Sequence, residues 1–232
     1  MRWWATTAML FQDRRDAGRV LAQLVAKLPD LQDAIVLGLP RGGVPVAFEV
    51  ARTCQLPLDI LVVRKLGAPG QRELAMGAVA SGGIVVRNPE VLLELHVTDA
   101  VLRAVTEREL REVERCERAY RGDLPPPTIE GRTVILVDDG LATGASMKAA
   151  ARAVRPIACQ VVIAVPAGAR TVCCELQGEA DRVICAAMPE PFVAVSQCYG
   201  DFEPTSDEEV RTLLLQARRE WGSRPPASGS SE

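Results

Sequence analysis

The chain has 232 residues, 48% hydrophobic and 25% charged, with a formal net charge of −3. That length can bury one sizeable core without splitting into two domains, and the composition is that of an ordinary soluble globular protein. There is no basic excess of the kind a nucleic-acid binder shows and no apolar run near the roughly 18 residues of a membrane span, so neither nucleic acid nor membrane is an expected partner.

Residues 1–10 read as an N-terminal extension. Met1-Arg2-Trp3-Trp4 is faintly like the start of a secretory signal, but Thr6 and Thr7 interrupt the apolar stretch and Asp13-Arg14-Arg15 brings charge early. A cytoplasmic protein is expected, with Met9 as a second candidate start. Seven cysteines make an odd count with no C-x-x-C pair, and most sit among apolar residues. Reduced, packed thiols fit this better than a disulfide frame or a zinc site. His96 is the only histidine, which excludes a histidine-rich metal site. Without a G-x-S-x-G turn, a Ser-His-Asp hydrolase has no support either.

In chain order, Asp13 caps a helix whose Ala17, Leu21, Leu24, Val25 and Leu28 fall on one face before Pro29 stops it. Residues 34–39 read as a buried strand, followed by Pro40-Arg41-Gly42-Gly43 and a helix with Pro45 in its first turn. Residues 58–63 form the next strand, ending in Arg64-Lys65. Residues 66–73 carry Gly67, Pro69 and Gly70 and are predicted to be a mobile loop. Residues 75–79 and 84–86, around Ser81-Gly82-Gly83, predict a short hairpin. A long charged helix spans 98–121, with Glu107/Arg111, Arg108/Glu112, Glu114/Arg118 and Glu117/Arg121 at i,i+4. Its narrow apolar stripe is that of a solvated flank. Pro125-Pro126-Pro127 then breaks the chain before a strand at Val134 and a helix over 145–154. A strand over 161–165, a helix over 167–176 and a strand over 182–186 follow. Residues 188–204 are irregular, 206–221 form an amphipathic helix, and 222–232 are a disordered tail. Alternating strands and helices imply an α/β fold, a doubly wound and mainly parallel sheet flanked by helices, with the irregular segment as a small hood.

In such a sheet, ligands collect beyond the carboxyl ends of strands. The stretch Asp138-Asp139-Gly140-Leu141-Ala142-Thr143-Gly144-Ala145-Ser146 lies between the apolar run Val134-Ile135-Leu136-Val137 and a helix. Its glycines permit close backbone approach, and free N–H groups at the helix start can hold phosphate. Two carboxylates do not favour phosphate, so they must face hydroxyls, a cation, or positive charge developed in a reaction. The 38–43 turn is neither G-x-G-x-x-G nor G-x-x-x-x-G-K-[ST], but its N–H groups and Arg41 suit a second anion. Arg64-Lys65 adds cations at another strand end. Alone, an Asp-Asp-Gly turn is more often a capped loop, Arg-Lys a solvated pair, and Pro-Arg-Gly-Gly a common turn. Their joint occurrence at three strand ends carries the reading.

These motifs resemble those of the type I phosphoribosyltransferases. Residues 134–146 look like the family's phosphoribosyl-pyrophosphate motif, Pro40-Arg41-Gly42-Gly43 resembles its pyrophosphate loop, and Val62-Val63-Arg64-Lys65 is similar to the strand end before its mobile loop. The resemblance implies a single domain over 11–221, with a mobile loop at about 66–73 and a base-recognising hood at about 188–204. It also implies transfer of ribose 5-phosphate from phosphoribosyl pyrophosphate to a small nitrogenous acceptor, a nucleobase being expected, with release of pyrophosphate. Asp138 and Asp139 would be catalytic and hold the ribose hydroxyls. Ala142, Thr143, Gly144, Ala145 and Ser146 would wrap the 5′-phosphate. Arg41, Gly42 and Gly43, with Arg64 and Lys65, would serve the pyrophosphate, and a cis peptide is implied at Pro40–Arg41. Magnesium would be the cofactor, bound by substrate and water, with Asp138 and Asp139 acting on it indirectly. A homodimer is compatible with this reading.

In the hood, Phe192, Tyr199 and Phe202 could stack on a ring and Asp201 could accept from an amine, although packing under the closing helix is the expected use of at least two of the three aromatics. The segment does not match the purine, orotate or uracil hoods, so the acceptor stays open. The alternative is a sensor domain that binds phosphoribosyl pyrophosphate or a nucleotide without turnover. A dehalogenase-like phosphatase would need D-x-D instead of adjacent acids.

Overall fold

A computed structural model of the protein describes residues 9–122 and 124–221; most of the N-terminal extension and the expected disordered tail lie outside them. Helix α1 (Arg14–Val25) starts where the Asp13 carboxylate accepts the Asp16 N–H at 2.7 Å. Strand β1 (Ala34–Gly38), helix α2 (Gly43–Cys54) and strand β2 (Leu58–Ile60) come next. Then follow β3 (Val63–Ala68), β4 (Gln71–Ala80), β5 (Ile84–Arg87) and helices α3 (Pro89–Glu94) and α4 (Asp99–Arg121). The second half contains β6 (Thr133–Val137), α5 (Ala145–Val154), β7 (Gln160–Ala167), α6 (Arg170–Leu176), β8 (Arg182–Ala187) and α7 (Asp207–Glu220).

The central sheet has five parallel strands in the order β2-β1-β6-β7-β8, and a second, antiparallel sheet has the order β3-β4-β5. Successive strand side chains point to opposite faces. Ile35, Leu37, Val134, Leu136 and Ile163 pack with Met147 of α5 and Leu176 of α6. Val36, Ile135 and Val162 pack with Leu21 of α1, Phe48 of α2 and Leu213 of α7. Burial on both faces is why these strands read as unbroken apolar runs. Among the described residues, no helix is long and apolar enough to cross a membrane.

The expected doubly wound architecture is present, but several local expectations need correction. The 58–63 strand ends at Ile60. Leu61 still donates its N–H to the Gly38 carbonyl, but the Val62 N–H donates to Ser81 Oγ at 2.9 Å and Val62 O accepts the Ser81 N–H. The chain therefore leaves the central sheet, and Val63 opens the antiparallel one. Residues 66–73, expected as a mobile loop, contribute to the β3–β4 hairpin, whose tip is Pro69-Gly70. Leu66 and Ala68 are buried beneath it. The sequence reading missed α3, which has a proline at its start and only Val91 buried. It also began α6 too early, since Pro166 and Ala167 remain in β7.

Helix α4 is more than a solvated flank: Glu109 and Arg121 are buried in it. Among the described residues, Arg121–Glu117 is the one of the four expected i,i+4 pairs that forms an ion pair; Arg108 turns to Glu109 and Arg115 to Glu112. Arg121 also reaches β2, donating from Nε to Asp59 at 2.7 Å and from Nη2 to the Ile60 carbonyl at 2.8 Å.

Candidate functional site

Strands β1 and β6 run in register with Gly38 beside Val137, so the turns that follow them leave the same sheet edge together. The Leu39 N–H donates to the Val137 carbonyl at 2.9 Å, tying the turns to each other. The Pro40–Arg41 peptide is cis, as the family resemblance implied. Helix α2 then begins directly against the two acids. A Cβ on Gly43 would lie 2.7 Å from the Val137 oxygen and 2.8 Å from Asp138 Cα, and one on Gly42 would lie 2.0 Å from Asp139 Oδ2. Only glycine allows so close an approach.

Each carboxylate has one oxygen tied to the protein. Asp138 Oδ1 accepts the Asp139 N–H at 2.9 Å, and Asp139 Oδ2 accepts from Arg14 Nε at 2.9 Å. Asp138 Oδ2 and Asp139 Oδ1 have no hydrogen-bond partner among the described residues. Neither is sealed away, since the one buried, unpartnered side-chain polar atom there is Trp221 Nε1. Burial, and then the neighbouring Asp139 charge, push the Asp138 carboxyl up to about 8. Burial also raises Asp139, against the opposing pull of Arg14. The site therefore offers two outward acceptor oxygens on adjacent residues in a poorly solvated setting.

The turn after the acids is pinned to the end of β7: the Leu141 N–H donates to Ala167 O at 2.9 Å, and Leu141 O accepts the Ala169 N–H at 3.0 Å. Gly144 precedes α5 with φ +67 and no side-chain cap on the helix. Ala142, Thr143 and Ser146 are exposed there, and Gly144 and Ala145 are half-buried. An uncapped helix start carries free N–H groups and the positive end of the helix dipole, a setting for an anion.

Asp138, Asp139, the 142–146 turn and Arg41-Gly42-Gly43 are thus brought to one edge. Arg41 is exposed there, with Asp207 at 3.7 Å. Arg64 and Lys65 are not at a central strand end as expected. They lie within β3 of the antiparallel sheet, where Arg64 Nε donates to Glu109 of α4 at 2.6 Å. The hood aromatics pack, as expected of at least two of the three. Tyr199 is buried and donates from Oη to the Asp139 carbonyl, and burial raises its pKa. It packs between Phe11, at 5.7 Å, and Phe202, at 4.9 Å. Phe192 is half-buried against the same cluster. Asp201 is exposed, with its Oδ1 accepting the Glu203 N–H at 3.0 Å. These aromatics pack under the start of α1, where Ala17 joins them, and not under the closing helix.

The model of the phosphoribosyl transferase domain matches residues 11–183. The chain belongs to this phosphoribosyl transferase family. It is 47% identical over 213 residues to the "Putative phosphoribosyl transferase Rv0571c" of Mycobacterium tuberculosis H37Rv, which covers 91% of this chain and 48% of that protein. The counterpart in strain CDC 1551 gives the same figures. The chain therefore spans about half the length of the curated relatives it matches. The crystal structure of TT1426 from Thermus thermophilus superposes with a TM-score of 0.81 at 42% identity, covering 90% of this chain and 99% of that one.

Within this phosphoribosyl transferase domain, the residue that sequence reasoning passed over is Arg14. In Asp13-Arg14-Arg15-Asp16 it reads as part of a capped helix start, and nothing local signals a partner 125 positions away.

Proposed function

We propose that the domain transfers ribose 5-phosphate from phosphoribosyl pyrophosphate to a nitrogen nucleophile, releasing pyrophosphate. The observation that carries this reading is the pair of outward oxygens on Asp138 and Asp139, set between the uncapped α5 start and the Arg41-Gly42-Gly43 turn. Two acceptors on adjacent residues match the vicinal hydroxyls of a ribose, and the α5 start suits its 5′-phosphate. The turn before α2, with Arg41 beside it, then faces the leaving pyrophosphate. As that group departs, the anomeric carbon takes on positive charge, which carboxylates in a poorly solvated site stabilise.

Among the described residues, no group of three or more His, Cys, Asp or Glu is placed to hold a metal ion. Two carboxylates are still enough for magnesium, which keeps several waters and takes most of its remaining ligands from phosphate-bearing substrates. Asp138 and Asp139 would act on it through the ribose hydroxyls and water. When bound, magnesium would neutralise the leaving pyrophosphate.

Calorimetry with phosphoribosyl pyrophosphate and magnesium tests the donor half: Asp138→Asn and Asp139→Asn should each weaken binding about tenfold or more, and no binding by the wild type refutes the reading. Pyrophosphate release across a panel of nucleobases and other nitrogen nucleophiles tests turnover. The alternative, a sensor that binds the donor without turning it over, is favoured by the use of Tyr199 and Phe202 in packing, which removes them as a base platform. Tight binding with no release from any nucleophile would select it.

A further inference from the structure

We propose that Arg14 is the positioning residue of the acid pair, fixing Asp139 so that its outward oxygen and that of Asp138 form a two-point clamp for vicinal ribose hydroxyls. This rests on the reading of the site as a ribose-phosphate site. The guanidinium touches three groups on two separate parts of the chain. Its Nε donates to Asp139 at 2.9 Å, its Nη1 donates to the Glu203 carbonyl at 2.7 Å, and its Cζ lies 3.9 Å from the centroid of the Phe202 ring. The side chain is 12% exposed and that of Asp139 16%, so the contact between them is only partly screened.

The platform beneath it is itself held. The N–H groups of Leu10 and Phe11 donate to the Cys198 carbonyl, and those of Gly200 and Asp201 donate to the Phe11 and Gln12 carbonyls. The start of α1 and the 198–203 segment therefore form one unit that presents Arg14 and the Glu203 carbonyl together. On the opposite side, Asp139 Oδ2 sits in the space a Cβ on Gly42 would take, 2.0 Å from that position, and so packs against the start of α2. A carboxylate held from both sides keeps its second oxygen in one direction. Arginine suits this because its donors are fixed in a plane, whereas a lysine ammonium supplies charge without that geometry.

The test compares the affinity of the full chain for ribose 5-phosphate, 2,3-dideoxyribose 5-phosphate and inorganic phosphate, by calorimetry, in the wild type, Arg14→Gln and Arg14→Lys. The wild type should prefer the sugar that keeps its hydroxyls. Both variants should lose that preference by about tenfold while binding inorganic phosphate as before. A merely structural role would weaken all three ligands together. A folded Arg14→Gln that keeps the wild-type preference, or loses all three ligands equally, overturns the proposal. If the wild type itself shows no preference, the ribose-site reading fails first, and Arg14 has nothing to position. Should the Arg14 variants not fold, Phe202→Leu removes the ring that orients the guanidinium. It should lower the preference in the same direction, and an unchanged preference there overturns the proposal as well.

Discussion

Two adjacent glycines, each replaced by alanine, should fail in different ways. At Gly43 the obstacles are main chain: a Cβ would meet the Val137 oxygen at 2.7 Å and Asp138 Cα at 2.8 Å. Ordinary contact between carbons is about 3.5–4.0 Å, so α2 and the end of β6 must part by roughly 1 Å. Overpacking of this kind costs about 1–3 kcal/mol. At Gly42 the obstacle is a side chain, with Asp139 Oδ2 at 2.0 Å and Arg14 Nε at 3.2 Å. Gly42 already has helical dihedrals, φ −59 and ψ −32, so alanine brings no backbone penalty there. The Asp139 carboxylate can swing aside, but only by about 1 Å or more, which breaks its 2.9 Å bond to Arg14. Urea denaturation and calorimetric titration with ribose 5-phosphate separate the two cases. Gly43→Ala should lose about 1–3 kcal/mol of stability. Gly42→Ala should lose less than Gly43→Ala yet bind the sugar phosphate at least about tenfold more weakly, the loss of one charge-assisted hydrogen bond. Unchanged binding by Gly42→Ala, or equal losses of stability in the two variants, would refute this account of the cradle.

Two further outcomes follow from buried charge. Burial raises Asp138 from its ordinary 3.8 to about 8. Below 3.8 the folded and unfolded states both hold the proton; between the two values only the unfolded chain releases it readily, so stability should fall as pH rises through that window. Asp138→Asn should remove that slope, and equal slopes for the two proteins in urea titrations at about pH 4, 6 and 8 would rule it out. In the second case, the Arg121 side chain is 3% exposed and Asp59 5%, with Arg218 as a second partner of Asp59 at 3.1 Å. Arg121→Met leaves Asp59 short of its main counter-charge and should cost about 3–5 kcal/mol, while adding Asp59→Leu should recover much of it. A single-variant loss under about 1 kcal/mol in chemical denaturation would show that the pair is replaceable.

What was legible in the sequence is what local pattern encodes. Val134 to Val137 announced a two-face-buried strand because every residue in it is apolar, and the register of β1 against β6 then brought Arg41-Gly42-Gly43 to the acids. Asp13 announced a helix start and its side chain accepts the expected backbone N–H; Thr98 and Ser206, read as first residues of their helices, prove to be caps of the same kind. The fate of Arg64-Lys65 was not legible. Leu58 to Val63 is uniformly apolar apart from Asp59, and the break at Leu61-Val62 depends on Ser81, which lies in a later turn. The 66–73 stretch misled because Gly67 and Gly70 read as loop, although Gly67 sits inside the hairpin at a register shift. Packing of the hood aromatics was expected, but not its partners, because nothing local shows that Phe11 and Arg14 occupy the faces of Tyr199 and Phe202.

The charge arrangement also removes the conflict between paired acids and a phosphate-seeking helix start. Asp138 is buried and its carboxyl is pushed up to about 8, so at neutral pH the fold favours its protonated form. Burial raises Asp139 as well, and Arg14 at 2.9 Å opposes that shift. On the proposed function, a 5′-phosphate at the α5 start would then meet less negative charge than two fully ionised acids would place beside it. A protonated carboxyl can also donate a hydrogen bond, whereas a carboxylate can only accept. On the proposed function, a protonated Asp138 would thus offer a ribose hydroxyl a donor as well as an acceptor oxygen. On the proposed function, adjacent acids beside a single arginine would serve both the sugar and its phosphate, with Arg14 hydrogen-bonded to Asp139 and Asp138 Oδ1 held instead by the Asp139 N–H.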